Sequence, residues 1–352
     1  MDVVVIGAGL SGLTAAAVLQ KAGASVRLLE ADARIGGRIR ALRELSGHRA
    51  VADLGPAWVW PKYQPVVGRW LEELGCATFE QFNEGDAVIV GYGPAPFRQT
   101  LPGQDGMVRI VGGPTALTEA LSNRIGSASI RTSAPVTGVC EDGSEHVSVH
   151  LSSGEIITAK NVIVSVPLRV AATTMYLPWA PQALTEDMQR TPTWMSTHAK
   201  AVALYDRPFW REAGLSGRVA SRNGPLTEVH DHTSADNNSA ALFGFVGWSP
   251  EKRRTNPEEL RQAILDQLSD CFGKAAARPL DLVIHDWATN LRIVTDLDIS
   301  RPASHPDVGP ASLRLPYLDG RIRFAVSEVS EQSPGLIEGA LAAGERTALE
   351  LS

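Results

Sequence analysis

The chain has 352 residues, of which 44% are hydrophobic and 20% charged, with a formal net charge of −6. That size suggests two intertwined domains of an ordinary globular protein, and the acidic balance argues against nucleic acid, whose phosphates need clustered Lys and Arg. Cys76, Cys140 and Cys271 are isolated, with no C-x-x-C pair, so no zinc site or disulfide framework is expected and a reducing cytosol suits them.

The first predicted element is a buried strand, the apolar run Val3 to Ile6, which starts at the N-terminus and leaves no room for a signal peptide. Gly7-Ala8-Gly9-Leu10-Ser11-Gly12 follows, then a helical stretch, then a second apolar strand ending in Glu30. A dinucleotide demands this strand–glycine turn–helix–strand–acid unit. Gly7 permits the tight turn, Gly9 lets a pyrophosphate approach bare backbone, and Gly12 lets the helix pack close to the strand. The N–H groups at the helix start face the phosphate charge, and Glu30 can accept hydrogen bonds from a ribose. On the helix, Ala15, Val18, Leu19 and Ala22 form one apolar stripe, with Gly23 as the stop. These features indicate a bound nucleotide without separating NAD from FAD.

Arg34-Ile35-Gly36-Gly37-Arg38 comes next. Alone, G-G-R reads as a flexible surface turn; directly after the ribose acid it reads as more backbone brought to phosphate, with a cation beside it. The stretch resembles the amino-terminal signature of the flavin-containing amine oxidases, the family of monoamine and polyamine oxidases. Its wider group includes phytoene-desaturase-like and protoporphyrinogen-oxidase-like enzymes. The resemblance implies FAD. It extends to Asp53-Leu54-Gly55-Pro56-Ala57-Trp58, similar to the family segment beside the flavin ring, although Pro56 stands where another small residue is commoner. Trp58 and Trp60 fall on one side of an extended chain, either as core or as cavity wall.

Residues 62–76 read as an amphipathic helix ended at Gly75, and residues 77–107 are broken by Gly91, Gly93, Pro94 and Pro96. Gly112-Gly113-Pro114-Thr115 opens a second glycine-led helix to Ile125 that resembles the family's G-G-x-x-x-L segment. The large helical insertion that precedes that segment in the family, and helps roof the substrate site, is reduced here to a short piece. A truncated roof is therefore expected, which opens the site to large or carrier-bound substrates. Residues 135–151 read as strands of a meander, and Val136 matches the family position at the adenine end of FAD. Residues 161–167 read as a buried strand.

His198 to Tyr205 alternates with period two, putting Lys200 on one face with Val202 and Leu204. An isolated strand lysine is ordinarily a solvated edge charge; on an apolar face its pKa falls and it becomes chemically useful. Lys200, Tyr205, Phe209 and Trp210 resemble the family segment whose lysine holds a water against flavin N5, which implies a catalytic Lys200. A strand over 240–248, a helix over 257–271 and a strand over 281–287 follow, and Trp287 resembles the family tryptophan near the flavin. His230, His232, His285 and His305 fit no standard metal spacing, and no metal is expected.

Residues 321–351 resemble the family ending, a strand delivering an acid near the ribityl–pyrophosphate and a helix beginning under the flavin. Glu328, Gly335, Glu338, Gly339, Gly344 and Arg346 match, and Gly335, Leu336 and Ile337 are expected at the cofactor. Three departures qualify the substrate end. Ser327 replaces a usual glycine, and Leu336 stands where many relatives carry an aromatic wall of the amine cage. Between Trp287 and Pro302 no aromatic supplies the opposite wall, and no cysteine follows Cys271 to link FAD covalently.

The expected architecture is an α/β protein with a discontinuous FAD-binding Rossmann-type domain (1–79, 107–169 and 288–352) and a smaller α+β substrate domain (80–106 and 170–287). The expected cofactor is noncovalent FAD, held by Gly7, Gly9, Ser11, Gly12, Glu30, Gly36, Gly37, Arg38, Gly55, Pro56, Ala57, Trp58, Val136, Trp287, Glu328, Gly335, Leu336 and Ile337. The resemblance implies hydride transfer from a C–H next to nitrogen, with O2 as acceptor and hydrogen peroxide as product. A desaturase acting on carbon–carbon bonds, or a non-catalytic flavoprotein, remain alternatives. No run of about 18 apolar residues could span a membrane, and a cytoplasmic location is expected.

Overall fold

A computed structural model describes residues 1–44, 49–143, 145–301 and 307–351. The opening run forms β1 (Val3–Ile6), the glycine turn leads into α1 (Leu10–Lys21), and β2 (Val26–Leu29) returns parallel to β1. β3 (Ala41–Arg43) and β4 (Ala50–Asp53) pair antiparallel. α2 (Pro65–Leu74) begins on proline and stops at a left-handed Gly75. β5 (Thr78–Glu80), β6 (Asp86–Val90), β7 (Phe97–Gln99) and β8 (Val108–Ile110) lead to α3 (Thr115–Ile125). After β9 (Ile130–Arg131) come the meander strands β10 (Val136–Glu141), β11 (Val147–Leu151) and β12 (Ile156–Ala159), then β13 (Asn161–Val164).

The chain continues through α4 (Leu168–Thr174), α5 (Gln182–Arg190), β14 (Ala199–Tyr205) and a short α6 (Phe209–Glu212). β15 (Leu215–Ser221), β16 (Leu226–Asp231) and β17 (Ala240–Val246) precede α7 (Pro250–Thr255) and α8 (Pro257–Phe272). β18 (Asp281–Asp286), α9 (Asp296–Ser300), β19 (Ile322–Phe324) and α10 (Ile337–Leu349) complete it.

Two sheets organise these elements. The first is parallel, in the order β19-β13-β1-β2-β9. Val3 and Val5 of β1 pack with α1, α3 and α10 on one face, while Val4 and Ile6 pack with the meander on the other. Burial on both faces is why the strand reads as an unbroken apolar run. The single stripe expected on α1 is incomplete: Leu10 to Ala17 and Leu19 are all buried, whereas Ala22 is exposed. α1 lies between the sheet, α3 and α10, so neighbours surround it. Gly344 makes that approach possible, because a Cβ there would lie 2.3 Å from the Ser11 carbonyl oxygen.

The second sheet runs β18-β14-β17-β16-β15-β6-β7, so residues 86–99 join a sheet otherwise built from 199–286. β14 pairs with both β17 and β18, which rules out an edge position for Lys200. Ala199, Ala201 and Ala203 face α8, packing with Leu260, Ile264 and Leu268. Val202 faces the other way, onto Ala52, Leu54, Ala57 and Phe243. Lys200 has the parity of Val202, so the strand aims it at the segment following β4.

Candidate active site

A cavity of about 340 Å³ lies at the C-terminal ends of β1 and β2 and reaches β14 and β17 of the second sheet. Ligands of open parallel sheets bind at such strand ends. Its wall contains Gly7, Gly9, Ser11, Glu30, Gly36, Gly37, Arg38, the 55–58 segment, Val136, Lys200, Trp287, Glu328 and Gly335 to Ile337. Gly12, expected among them, does not line it. A Cβ on Gly12 would sit 2.0 Å from the Gly7 carbonyl oxygen and 2.4 Å from Ser165 Oγ, so Gly12 serves the packing of α1 behind the turn. A Cβ on Gly9 would meet nothing within 4 Å and would project into open space.

The wall fits a dinucleotide. Gly36 donates its N–H to the Ala8 carbonyl at 2.8 Å, bringing the second glycine turn beside the first. Gly37 has φ +55° and would place a Cβ 3.3 Å from Gly9 Cα. The first amides of α1 have no intrahelical acceptors and carry the positive end of the helix dipole. Ser11 Oγ is committed to the Ala325 carbonyl at 2.6 Å, leaving its backbone for phosphate. Glu30 Oε2 accepts the Ala8 N–H and Oε1 the Asp32 N–H, each at 2.8 Å, which fixes the carboxylate at the end of β2. Burial pushes its pKa up, opposed by those two amides.

Arg38 and Glu328, far apart in sequence, meet here. Arg38 Nη1 donates to Glu328 Oε1 at 2.6 Å and Nη2 to Ser327 Oγ at 2.9 Å. Ser327 Oγ in turn donates to Glu328 Oε2 at 2.8 Å, so the residue that replaces the usual glycine completes the pair. Burial disfavours the charged Glu328, but Arg38, Ser327 and the Trp194 amide outweigh it and lower its pKa. Trp194 was not singled out from the sequence; its N–H donates to Glu328 Oε1 at 3.2 Å and its carbonyl accepts Arg38 Nη1 at 3.1 Å. The Trp194 side of the wall is thereby tied to the nucleotide side.

Lys200 is buried on the wall. Its Nζ donates to the Gly55 carbonyl at 3.0 Å and lies 3.8 Å from the Phe243 ring centroid. Burial brings its pKa down to about 7, with Asp53 opposing the shift and Arg109 adding to it. Asp53, buried just before that segment, has His232 Nε2 3.2 Å from Oδ2 and donates its own N–H to the same nitrogen at 3.0 Å. Burial takes His232 down to about 3, so the imidazole is neutral and Nε2 accepts from the amide. Burial works against the Asp53 carboxylate, but the cationic Lys200 and Arg109 help to hold its pKa below the ordinary value. Arg109 is anchored on the Thr233 and His232 carbonyls. Asp53 therefore supports the protonated lysine. Asp53→Asn is expected to move the Lys200 titration below its wild-type value near 7, seen as an acid shift of that limb in the pH dependence of flavin reduction.

Trp58 and Trp60 both line the cavity. Trp58 also packs on Phe243 and His230 and donates to Gln81 Oε1 at 2.8 Å, so it is wall and core together. Trp287 donates to the Leu54 carbonyl at 3.0 Å. Of the four histidines weighed for metal, His230 contacts Glu228, His232 contacts Asp53, and His285 packs against Trp287. His305 lies outside the described residues. Glu338 points away from the cavity and caps α2, accepting the Val66 and Val67 amides. His198, Phe245, Asn290 and Arg292 also line the cavity; no sequence signal marked them.

Comparison with known proteins gives a consistent set of likenesses. Residues 95–352 match the family described as flavin containing amine oxidoreductase, and residues 5–74 match an NAD(P)-binding Rossmann-like domain. A probable flavin-containing monoamine oxidase A of Dictyostelium discoideum is 24% identical over 452 aligned positions, covering 99% of this chain and 97% of that protein. Putrescine oxidase of Kocuria rosea is also 24% identical, with 99% and 95% covered. Among solved structures, cyclohexylamine oxidase from Brevibacterium oxydans superposes with a TM-score of 0.84 at 21% identity, covering 99% of this chain and 98% of that one.

Proposed function

The chain belongs to the flavin-containing amine oxidoreductases, FAD-dependent enzymes, and from that premise we propose that its cavity oxidises the carbon next to nitrogen in a small or carrier-bound amine. FAD, when bound, supplies the redox chemistry, accepting a hydride at N5 and passing electrons to O2 to give hydrogen peroxide. We assign the nucleotide to residues 1–79, 107–169 and 288–352 and the substrate side mainly to 80–106 and 170–287.

The observation that carries this reading is a buried Lys200 on the same wall as the two glycine turns, Glu30 and the Arg38–Glu328 pair. The glycine turns and the start of α1 would hold the pyrophosphate, Glu30 a ribose, and Arg38 with Glu328 the ribityl–pyrophosphate stretch. The start of α10 would lie under the ring and stabilise its reduced, negative form. Lys200 would position water through Nζ, as donor below pH 7 and increasingly as acceptor above it. Trp58, Trp60 and Trp287 would exclude bulk water and orient the reacting carbon. FAD would be held without a covalent bond. A cytoplasmic location accords with three free cysteines, and no described helix is long and apolar enough to cross a membrane. The Dictyostelium alignment spans 452 positions against 352 residues here, so that protein carries segments that this chain lacks.

An amine panel assayed for O2 uptake and peroxide tests the reading, with equal amounts of each expected for a turned-over amine. Reduction only by a precursor of an unsaturated product, without peroxide, would favour the desaturase alternative. Loss of a charge-assisted bond to ribose costs roughly 1.5–3 kcal/mol, so Glu30→Gln is expected to weaken FAD about ten- to a hundredfold. Titration of apoprotein with FAD, followed by flavin fluorescence, measures that directly.

A further inference from the structure

The cavity wall divides by charge. Every acid on it belongs to the dinucleotide side and is engaged there. Glu30 holds two backbone amides, Asp32 lies 3.7 Å from Arg34, and Glu328 holds Arg38. The rest of the wall, formed by parts of 56–64, 165–175, 194–200 and 287–293 with Phe245, contains His198, Lys200 and Arg292 but no carboxylate. Residues 45–48 and 302–306 contain no Asp or Glu either.

Two of these groups are uncommitted. Arg292 sits exposed on the turn after Trp287, its backbone N–H held by Asn290 Oδ1 at 3.0 Å. Its guanidinium has no ion-pair partner among the described residues, whereas the wall arginines Arg34 and Arg38 are both engaged. His198, two residues before Lys200 on β14's extension, has the same parity; its Nδ1 is buried without a hydrogen-bond partner. Tryptophans 58, 60 and 194 supply apolar surface on the same wall.

A diamine would bring a second ammonium into a wall that offers cations and nothing to pair with it. Like charges so placed disfavour a ligand, and an unpaired buried charge is costly. An anionic group would instead meet an unpaired guanidinium able to bind carboxylate or phosphate through two N–H donors. We propose that the preferred substrate is an amine whose remote end carries an anionic group, docked by Arg292, and that the site discriminates against di- and polyamines. This inference rests on the amine-oxidation reading above.

Four amines sharing a four-carbon chain isolate the effect: 1,4-diaminobutane, butylamine, 4-aminobutyrate and 4-aminobutyl phosphate, each mixed anaerobically with the holoenzyme. At least one anionic amine is expected to reduce the flavin about tenfold more efficiently than butylamine, with the diamine poorest. Carboxylate against phosphate identifies the anion. Calorimetric titration with butyrate and butyl phosphate reads binding without turnover. Arg292→Gln is expected to weaken the bound anion about tenfold and bring the anionic-to-neutral amine ratio towards one, with partial recovery in Arg292→Lys. Preference for the diamine, or anion binding unchanged in Arg292→Gln, would overturn the proposal. So would an Arg292→Gln that loses FAD while keeping its anion preference. Anion binding with the expected Arg292 dependence, but no reduction by any amine, would uphold the anion site and sink the amine-oxidation reading. Amine reduction without anion binding would do the reverse.

Discussion

Gly12→Ala is expected to purify without flavin. The added Cβ would be driven to 2.0 Å from the Gly7 carbonyl oxygen and 2.4 Å from Ser165 Oγ, and neither is the free end of a flexible chain. Ser165 Oγ lies 2.8 Å from both the Ile6 and Gly7 carbonyl oxygens, which share its one proton, so it has no room to retreat. The turn between β1 and α1 has to open, which misaligns the helix amides on which a pyrophosphate depends. Overpacking of this kind costs about 1–3 kcal/mol of stability, and the loss in FAD affinity comes on top. Gly9→Ala is the informative contrast, because its Cβ meets nothing within 4 Å of the protein. Its apoprotein should melt like the wild type and yet bind FAD weakly. Thermal melts of both apoproteins, with FAD titrations, separate the two glycines; equal FAD retention in Gly12→Ala and wild type would contradict the assignment.

Lys200→Met is expected to slow at least one half-reaction by roughly a hundredfold or more, the scale typical of a positioned proton-transfer group. Methionine keeps the length and apolar packing of the side chain and removes Nζ, and with it the bond to the Gly55 carbonyl. Because burial brings the wild-type lysine down to about 7, the group is ammonium below that pH and amine above it. The affected half-reaction should therefore titrate near pH 7 in the wild type and lose that titration in the variant. Stopped-flow reduction and reoxidation across pH measure both effects. Unchanged rates in both half-reactions would remove Lys200 from the chemistry.

What was legible in the sequence is what lies close together along it. The glycine turn, Glu30 and the Gly36-Gly37-Arg38 extension occupy one stretch of chain, and the fold keeps them together on one cavity wall. Lys200 was legible because strand periodicity and a contiguous segment agree, and flanking alanines leave room for α8 on the opposite face. Groups that meet only through the fold were not. Trp194 enters the site because Arg38 and Glu328 grip its backbone, and backbone contacts leave no mark on composition. The Asp53–His232–Arg109 cluster behind Lys200 draws on three distant segments, so His232 reads in sequence as one more scattered histidine. The apolar stripe on α1 misled for a related reason: a helix enclosed by a sheet and two helices needs no single apolar face.

The cofactor end of the cavity thus gathers the segments that resemble the family, while the substrate end carries its own charge pattern. Anaerobic titration of the yellow holoenzyme with amines, followed by admission of air, tests the central claim most directly. Bleaching of the flavin by at least one amine, and recovery of colour in air with one equivalent of peroxide, is the expected result. A flavin that no amine bleaches, anionic or otherwise, would contradict it.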